Sequence, residues 1–246
     1  MSKAVTDRYF AEIGRLLAAV RDTQSDAIDR AAAAVADALQ RGGTVYAFGT
    51  GHSHMLAEEL FYRAGGLVRV YPILDPPLML HVSASRSSEV ERLPGYAATL
   101  LGRGADPGPG DVMLLFSNSG RNAVPVEMAL AAAARGTVTV ALTNLTHSRA
   151  AASRHPSGKR LFEVCDIVID NGGCIGDAAL TIGDKVCGPT STVVGAAVVQ
   201  AVACGAVEEL QRRGVEPEVF CSSNVDGGDA VNQTLLAKNR REIPFL

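Results

Sequence analysis

Two apolar runs, each ending in a loop of glycines and small polar residues, constrain this chain more than any other feature. Thr44-Val45-Tyr46-Ala47 leads into Phe48-Gly49-Thr50-Gly51-His52-Ser53, and Asp111-Val112-Met113-Leu114-Leu115-Phe116 leads into Ser117-Asn118-Ser119-Gly120-Arg121-Asn122. Helix-like sequence follows both loops. A strand that re-enters as a helix through such a loop presents free N–H groups and the positive end of a helix dipole, and glycine lets the backbone come close to a ligand. Two such loops predict a cradle for a phosphorylated small molecule.

The rest of the chain alternates in the same way. Residues 6–21 and 25–40 carry apolar side chains at helical spacing, with Ser25-Asp26 placed to cap the second stretch; together they predict an N-terminal helical arm over 1–40, with the main domain and a C-terminal extension over 41–246. Strands are expected at 44–48, 67–74, 111–116, 137–142 and 166–170. Helices are expected at 53–64, 88–101 (kinked at Pro94-Gly95), 125–135 and 191–213, with a short one inside 147–160. Residues 171–189 read as a Gly-rich excursion, and the tail from Gly214 as loop and short helix. Near-continuous apolar strands alternating with helices predict an α/β fold: a flavodoxin-like, doubly wound, five-stranded parallel sheet with helices on both faces. Ligands bind such a sheet beyond the C-terminal strand ends, where both loops lie.

Composition narrows the function. The formal net charge of −3 gives no reason to expect nucleic acid or an anionic membrane as partner. The apolar runs read as too interrupted to span a bilayer, and the N-terminus lacks a signal-peptide core. The cysteines at 165, 174, 187, 204 and 221 form no CxxC pair, so reduced, mostly buried thiols in a cytoplasmic protein are expected. Gly-x-Gly-x-x-Gly is not completed, because position 54 is His, and Gly-x-Ser-x-Gly is absent; dinucleotide binding and serine hydrolysis are unsupported. His52-x-His54 is too little for a metal site, and Asp226-Gly227-Gly228-Asp229 lacks the other ligands of a Ca²⁺ loop and reads as a turn. No metal and no cofactor is expected.

The two loops resemble the signature loops of the sugar isomerase (SIS) domain, over roughly residues 40–210. Within that superfamily, four further strings are similar to the UPF0309 family: Glu91-Arg92-Leu93-Pro94-Gly95-Tyr96, Ser153-Arg154-His155-Pro156-Ser157-Gly158, Gly188-Pro189-Thr190-Ser191-Thr192-Val193-Val194 and Asn224-Val225-Asp226-Gly227-Gly228-Asp229. The resemblance implies an αβα sandwich, a phosphosugar ligand, and a homodimer or homotetramer with sites at subunit interfaces. SIS proteins include aldose–ketose isomerases, lyases and non-catalytic sensing domains.

The candidate residues follow. By resemblance the second loop is the phosphate pocket, with Ser117, Asn118, Ser119, Arg121 and Asn122 as ligands; Ser191 and Thr192 add hydroxyls at a helix start, where they can equally serve as caps. Gly49, Thr50, Gly51 and Ser53 would face the sugar, Ser53 also standing where an N-cap belongs. Two carboxylates compete for the role of base. Glu59 lies on the helix after the first loop, in an Ala-Glu-Glu-Leu string similar to one in some SIS isomerases but about one helical turn closer to the loop. Glu91 lies just before Pro94-Gly95 and reads as a base or as an ion-pair partner of Arg92 or Arg86. Glu58 reads as solvated. His52 is the histidine best placed to touch substrate. The expected chemistry is proton abstraction at C2 of a hexose or N-acetylamino-sugar 6-phosphate. Elimination at C3 is favoured over aldose–ketose isomerisation, and a phosphosugar sensor is the non-enzymatic alternative.

Overall fold

The structure is a computed structural model that describes residues 4–102 and 104–246. The first element is a single helix, α1 (Val5–Gln40), and the expected break near residues 22–24 is absent. No Gly or Pro interrupts that stretch, and two side chains secure it. Thr23 Oγ1 donates back to the Ala19 carbonyl at 2.7 Å, and Gln24 Oε1 accepts the Asp170 N–H at 3.0 Å. The cap expected at Ser25-Asp26 therefore has no helix start to serve.

The main sheet contains β1 (Val45–Gly49), β2 (Val70–Ile73), β3 (Val112–Phe116), β4 (Val138–Thr143) and β5 (Ile167–Asp170). It is parallel throughout, in the order β2-β1-β3-β4-β5, as the alternation predicts. Its period of two sorts the core. Val45, Ala47, Val112, Leu114, Val140 and Leu142 face one layer, made by α1, α2 (His54–Leu60) and α6 (Ser191–Arg212). Tyr46, Phe48, Met113, Leu115 and Ala141 face the other, made by α3 (Ala84–Val90) and α4 (Ala123–Ala134). A short helix, α5 (Leu145–Ala150), follows β4.

Several boundaries differ from expectation for local reasons. α2 ends at Leu60 rather than 64, because Phe61 turns extended and Tyr62 adopts φ +44°. Leu67 lies outside the sheet and bridges to Val219, so the strand expected from 67 begins at Val70. The helix expected over 88–101 is instead α3, a turn with Gly95 at φ +84°, and a single 3-10 turn, Ala97–Thr99. The Gly-rich excursion contains an antiparallel hairpin, β6 (Ala178–Ile182) and β7 (Lys185–Pro189), joined through Gly183 at φ +61°. Its mostly exposed faces lack the apolar alternation that marks a strand in sequence. The Asp226–Asp229 turn leads into α7 (Gly228–Asn239), and Ile243 beyond it is fully buried in the second core.

α6 is long and apolar enough to cross a membrane by length and composition, which corrects the reading of its sequence as too interrupted. Val194, Val198, Val199 and Val202 pack into the first core, and Gly195 lets Leu56 approach so closely that a Cβ there would lie 2.8 Å from its Cδ1. The cysteine expectation is also corrected: Cys165 and Cys174 are half-buried, and Cys187, Cys204 and Cys221 are exposed.

Candidate functional site

β1 and β3 are neighbours, so their C-terminal loops meet where the strand order reverses. In the first loop only glycine fits at position 49, since a Cβ there would stand 2.4 Å from the Ser53 carbonyl oxygen. Gly51 takes φ +55° and opens a single 3-10 turn, Gly51–Ser53. The His54 ring is buried and its Nδ1–H donates to the Gly51 carbonyl, pinning the turn. In the second loop Gly120 takes φ +58°, donates its N–H to Ser117 Oγ at 3.2 Å, and packs where a Cβ would meet Ser148 Oγ at 2.8 Å.

Neither Ser53 nor Asn122 caps its helix through its side chain. Those side chains point instead to two adjoining features. The first is a pocket lined by Ser53, Ser117, Asn118, Asn171, Ser191 and Thr192, with Leu56, Phe116 and Leu142 as its apolar wall. Five expected ligands meet there. Asn171, which sequence reasoning missed, donates from Nδ2 to Asn118 Oδ1 at 2.8 Å and orients it. Its only signal is an amide directly after an apolar strand, in the place Ser117 holds after β3.

Ser191 is already engaged. Its N–H and hydroxyl donate to the Asp177 carboxylate at 2.9 and 2.5 Å, and the Thr190 N–H donates to the same group at 3.1 Å. Asp177, at φ +66°, thus supplies a negative charge to the start of α6, and the Ser191 hydroxyl is spent on that carboxylate rather than on a helix N–H. Thr192 carries no such bond.

The second feature centres on Glu91, at the end of α3. Thr50 Oγ1 donates to its Oε2 at 2.8 Å, and Asn122 Nδ2 donates to its Oε1 at 2.7 Å. Thr50 and Asn122 are each only 6% exposed, so one carboxylate joins the two loops in a nearly dry setting. Burial pushes the Glu91 carboxyl above its ordinary pKa, against the opposing effects of the Thr50 hydrogen bond and of Arg92 and Arg154. Asn122 Oδ1 in turn accepts from Arg154 Nη1 at 2.8 Å. The backbone repeats the tie: the Val124 N–H donates to the Glu91 carbonyl at 3.1 Å.

The other expected residues lie apart from these two features. Glu59 pairs with Arg63 one helical turn on and accepts from Gln200 Nε2 of α6 at 3.1 Å. His52 is exposed at the tip of its loop. Ser119 is half-buried with no side-chain hydrogen bond among the described residues, and Arg121 Nε donates to the Ala152 carbonyl at 2.9 Å. Among the described residues no three His, Cys, Asp or Glu side chains cluster as metal ligands would.

A parallel 2-1-3-4-5 sheet with two hydroxyl-rich loops at its switch point defines the class, and the chain belongs to the SIS domain family, whose model matches residues 8–144. Within that class its relatives are UPF0309 proteins. It is 47% identical over 242 residues to the UPF0309 protein of Geobacillus thermodenitrificans (strain NG80-2), covering 98% of this chain and 97% of that one. It is 45% identical over 234 residues to a UPF0309 protein of Listeria monocytogenes serotype 4b (strain CLIP80459), covering 94% of each. Among solved structures, a phosphoheptose isomerase from Francisella tularensis superposes with a TM-score of 0.56 at 17% identity, covering 85% of this chain and 99% of that one. The Vibrio vulnificus NanR protein complexed with ManNAc-6P does so with a TM-score of 0.50 at 18% identity, covering all of this chain and 71% of that one. At these identities the likeness lies in the fold.

Proposed function

We propose that this protein acts on a hexose or N-acetylamino-sugar 6-phosphate, with the phosphate in the hydroxyl pocket and Glu91 as the base. The observation that carries the reading is the Glu91 carboxylate, held between Thr50 of the first loop and Asn122 of the second. A buried carboxylate with a raised pKa, beside a pocket of hydrogen-bond donors, suits proton abstraction near neutral pH. The pocket hydroxyls and amides hold the phosphate, and that remote binding positions the other end of the sugar. Glu91 takes the C2 proton of the open-chain sugar, and donors of the first loop stabilise the enediolate.

Two products are open to that intermediate. Loss of the C3 oxygen gives an unsaturated sugar; reprotonation at C1 gives a ketose. Our reading favours elimination, because the two histidines of the first loop region are poorly placed to open a sugar ring: His52 is exposed, and His54 is committed to Gly51. Glu59 is the weaker base, since Arg63 and Gln200 already engage it. We also propose a homodimer or homotetramer with sites at the interfaces, supported by the exposed apolar Phe10, Ile175 and Val186, and checked by light scattering. Five free thiols support a cytoplasmic location.

The test is a panel of sugar 6-phosphates in D₂O followed by NMR. An alkene signal supports elimination, and deuterium at C2 with the oxygens retained supports isomerisation. Thermal stabilisation by one sugar with no exchange in any would replace the enzyme reading with a phosphosugar sensor.

A further inference from the structure

The mechanism above leaves a cluster of arginines unused. Arg154 reaches Asn122 Oδ1 with Nη1 at 2.8 Å, and Asn122 holds Glu91 through its other side-chain atom. The Arg154 N–H donates to the Arg121 carbonyl at 2.7 Å, and Arg121 Nε bonds the Ala152 carbonyl at 2.9 Å, so the two arginines are tied together. Arg92 follows Glu91 in the chain and makes no side-chain hydrogen bond or ion pair among the described residues. Burial lowers the pKa of Arg154, and the charges of Arg121 and Arg92 lower it further, so both guanidiniums stand near that of Arg154. The other nearby carboxylate, Glu127, accepts the Gly95 N–H at 2.6 Å and lies 3.7 Å from His155 Nε2. Glu91 faces two of these cations, Arg92 and Arg154, in a chain whose net charge is −3.

None of these arginines lines the hydroxyl pocket, which lies at the Ser117 end of the second loop while they gather at its Asn122 end. Five residue steps separate those ends, about 18 Å at full extension, and the loop folds back between them at Gly120, whose N–H donates to Ser117 Oγ at 3.2 Å. From this geometry we infer that Arg92, Arg121 and Arg154 form a second anion subsite, and that the ligand is a sugar-acid phosphate with its carboxylate at or beside C1. The inference rests on the reading that the hydroxyl pocket holds the phosphate. A guanidinium suits a carboxylate in particular, since its planar fork meets both oxygens. Such an acid is compatible with the proposed chemistry. With the carboxylate as C1, the C2 proton is α to it; Glu91 takes that proton and returns it to the departing C3 hydroxyl, which leaves as water, and the C2–C3 enol tautomerises to the 2-keto acid without a co-reactant.

Two open-chain probes that differ only at C1 provide the test: 6-phosphogluconate, with a carboxylate, and glucitol 6-phosphate, with a hydroxymethyl group. Titration calorimetry of the full chain should show the acid binding roughly tenfold tighter or better, the scale of one charge-assisted contact. Arg154→Gln and Arg92→Gln should each bring that ratio toward one. Arg92→Gln decides the matter if Arg154→Gln does not fold, because Arg92 holds nothing in place. Equal affinities in the unmodified protein overturn this inference and leave the phosphate reading standing. Parallel loss of both ligands in the arginine variants also overturns it, since the arginines would then hold the phosphate. Failure of both probes to bind overturns the phosphate reading and this inference together.

Discussion

Replacing Glu91 tests both the wiring of the site and its chemistry. The two carboxylate oxygens each accept one hydrogen bond, from Thr50 and from Asn122, and both donors are nearly inaccessible to water. Glu91→Gln preserves this. Its carbonyl accepts from Asn122, its amide donates to the Thr50 hydroxyl, which can turn to accept, and no charge is buried. Glu91→Ala leaves the Thr50 hydroxyl and the Asn122 Nδ2 donor without an acceptor, at about 1–3 kcal/mol each, or roughly 2–6 kcal/mol together. Urea unfolding at pH 7 should therefore find the Gln variant at least as stable as the parent and the Ala variant well below it. The pH dependence gives a second reading. Because burial raises the folded pKa of Glu91 above 4.5, the unfolded chain gives up this proton first. The group's contribution to stability is therefore full below the unfolded pKa and is lost as pH rises through the folded one. Glu91→Gln lacks that decline, so its advantage should grow over the same window. Chemistry must move in the opposite sense, since only ionised Glu91 is a base. Exchange at C2 should rise through the raised pKa in the parent and fall by roughly 10²–10⁴ in the Gln variant. Exchange at the parent rate in Glu91→Gln would refute the assignment of the base, and an Ala variant as stable as Gln would refute the bridge.

The remaining predictions concern single contacts. Glu59→Gln should keep C2 exchange while losing some stability through Arg63 and Gln200, measured by NMR and thermal melting. Asp177→Ala removes the carboxylate at the start of α6 and should lower unfolding stability by about 1–2 kcal/mol, the range for a lost N-cap. Thr192→Val should weaken sugar-phosphate binding with little change in melting temperature. Ser191→Ala should do the reverse, because its hydroxyl serves Asp177. Gly49→Ala forces a Cβ against the Ser53 carbonyl, so it should cost on the order of 1–3 kcal/mol and distort the first loop, read by unfolding and by ligand titration. Burial pushes the Cys165 thiol up to about 12, so at pH 8 a thiol reagent should modify Cys187, Cys204 and Cys221 first and leave Cys165 protected.

Local pattern carried the sheet because a strand buried on both faces must be apolar at nearly every position, and a turn into a helix that approaches a ligand must be small. Both rules act within a few residues, so β1, β3 and their loops were legible, while the strand order of the folded sheet makes the two strands neighbours. The weaker expectations failed where side chains found distant partners. The sequence marks Ser53 as a cap and Asn122 as a phosphate ligand, yet Ser53 lines a pocket without capping and Asn122 holds Glu91 and Arg154. The β6–β7 hairpin was invisible because few of its residues are buried and its apolar positions do not alternate.

By itself, then, the sequence determined the architecture and the place of the site: apolar periodicity and glycine position act locally, and a parallel sheet brings its loops to one end. Only the tertiary structure sets the two carboxylates in different surroundings. Glu59 and Glu91 are alike as sequence, each beside a polar neighbour at the edge of a helix. Folding sets Glu59 against Arg63 and against Gln200, 141 residues away, while Glu91 meets Thr50 and Asn122 across 41 and 31 residues. Burial and long-range hydrogen bonding shift the protonation of a carboxylate, and neither is a property of its neighbours in the chain.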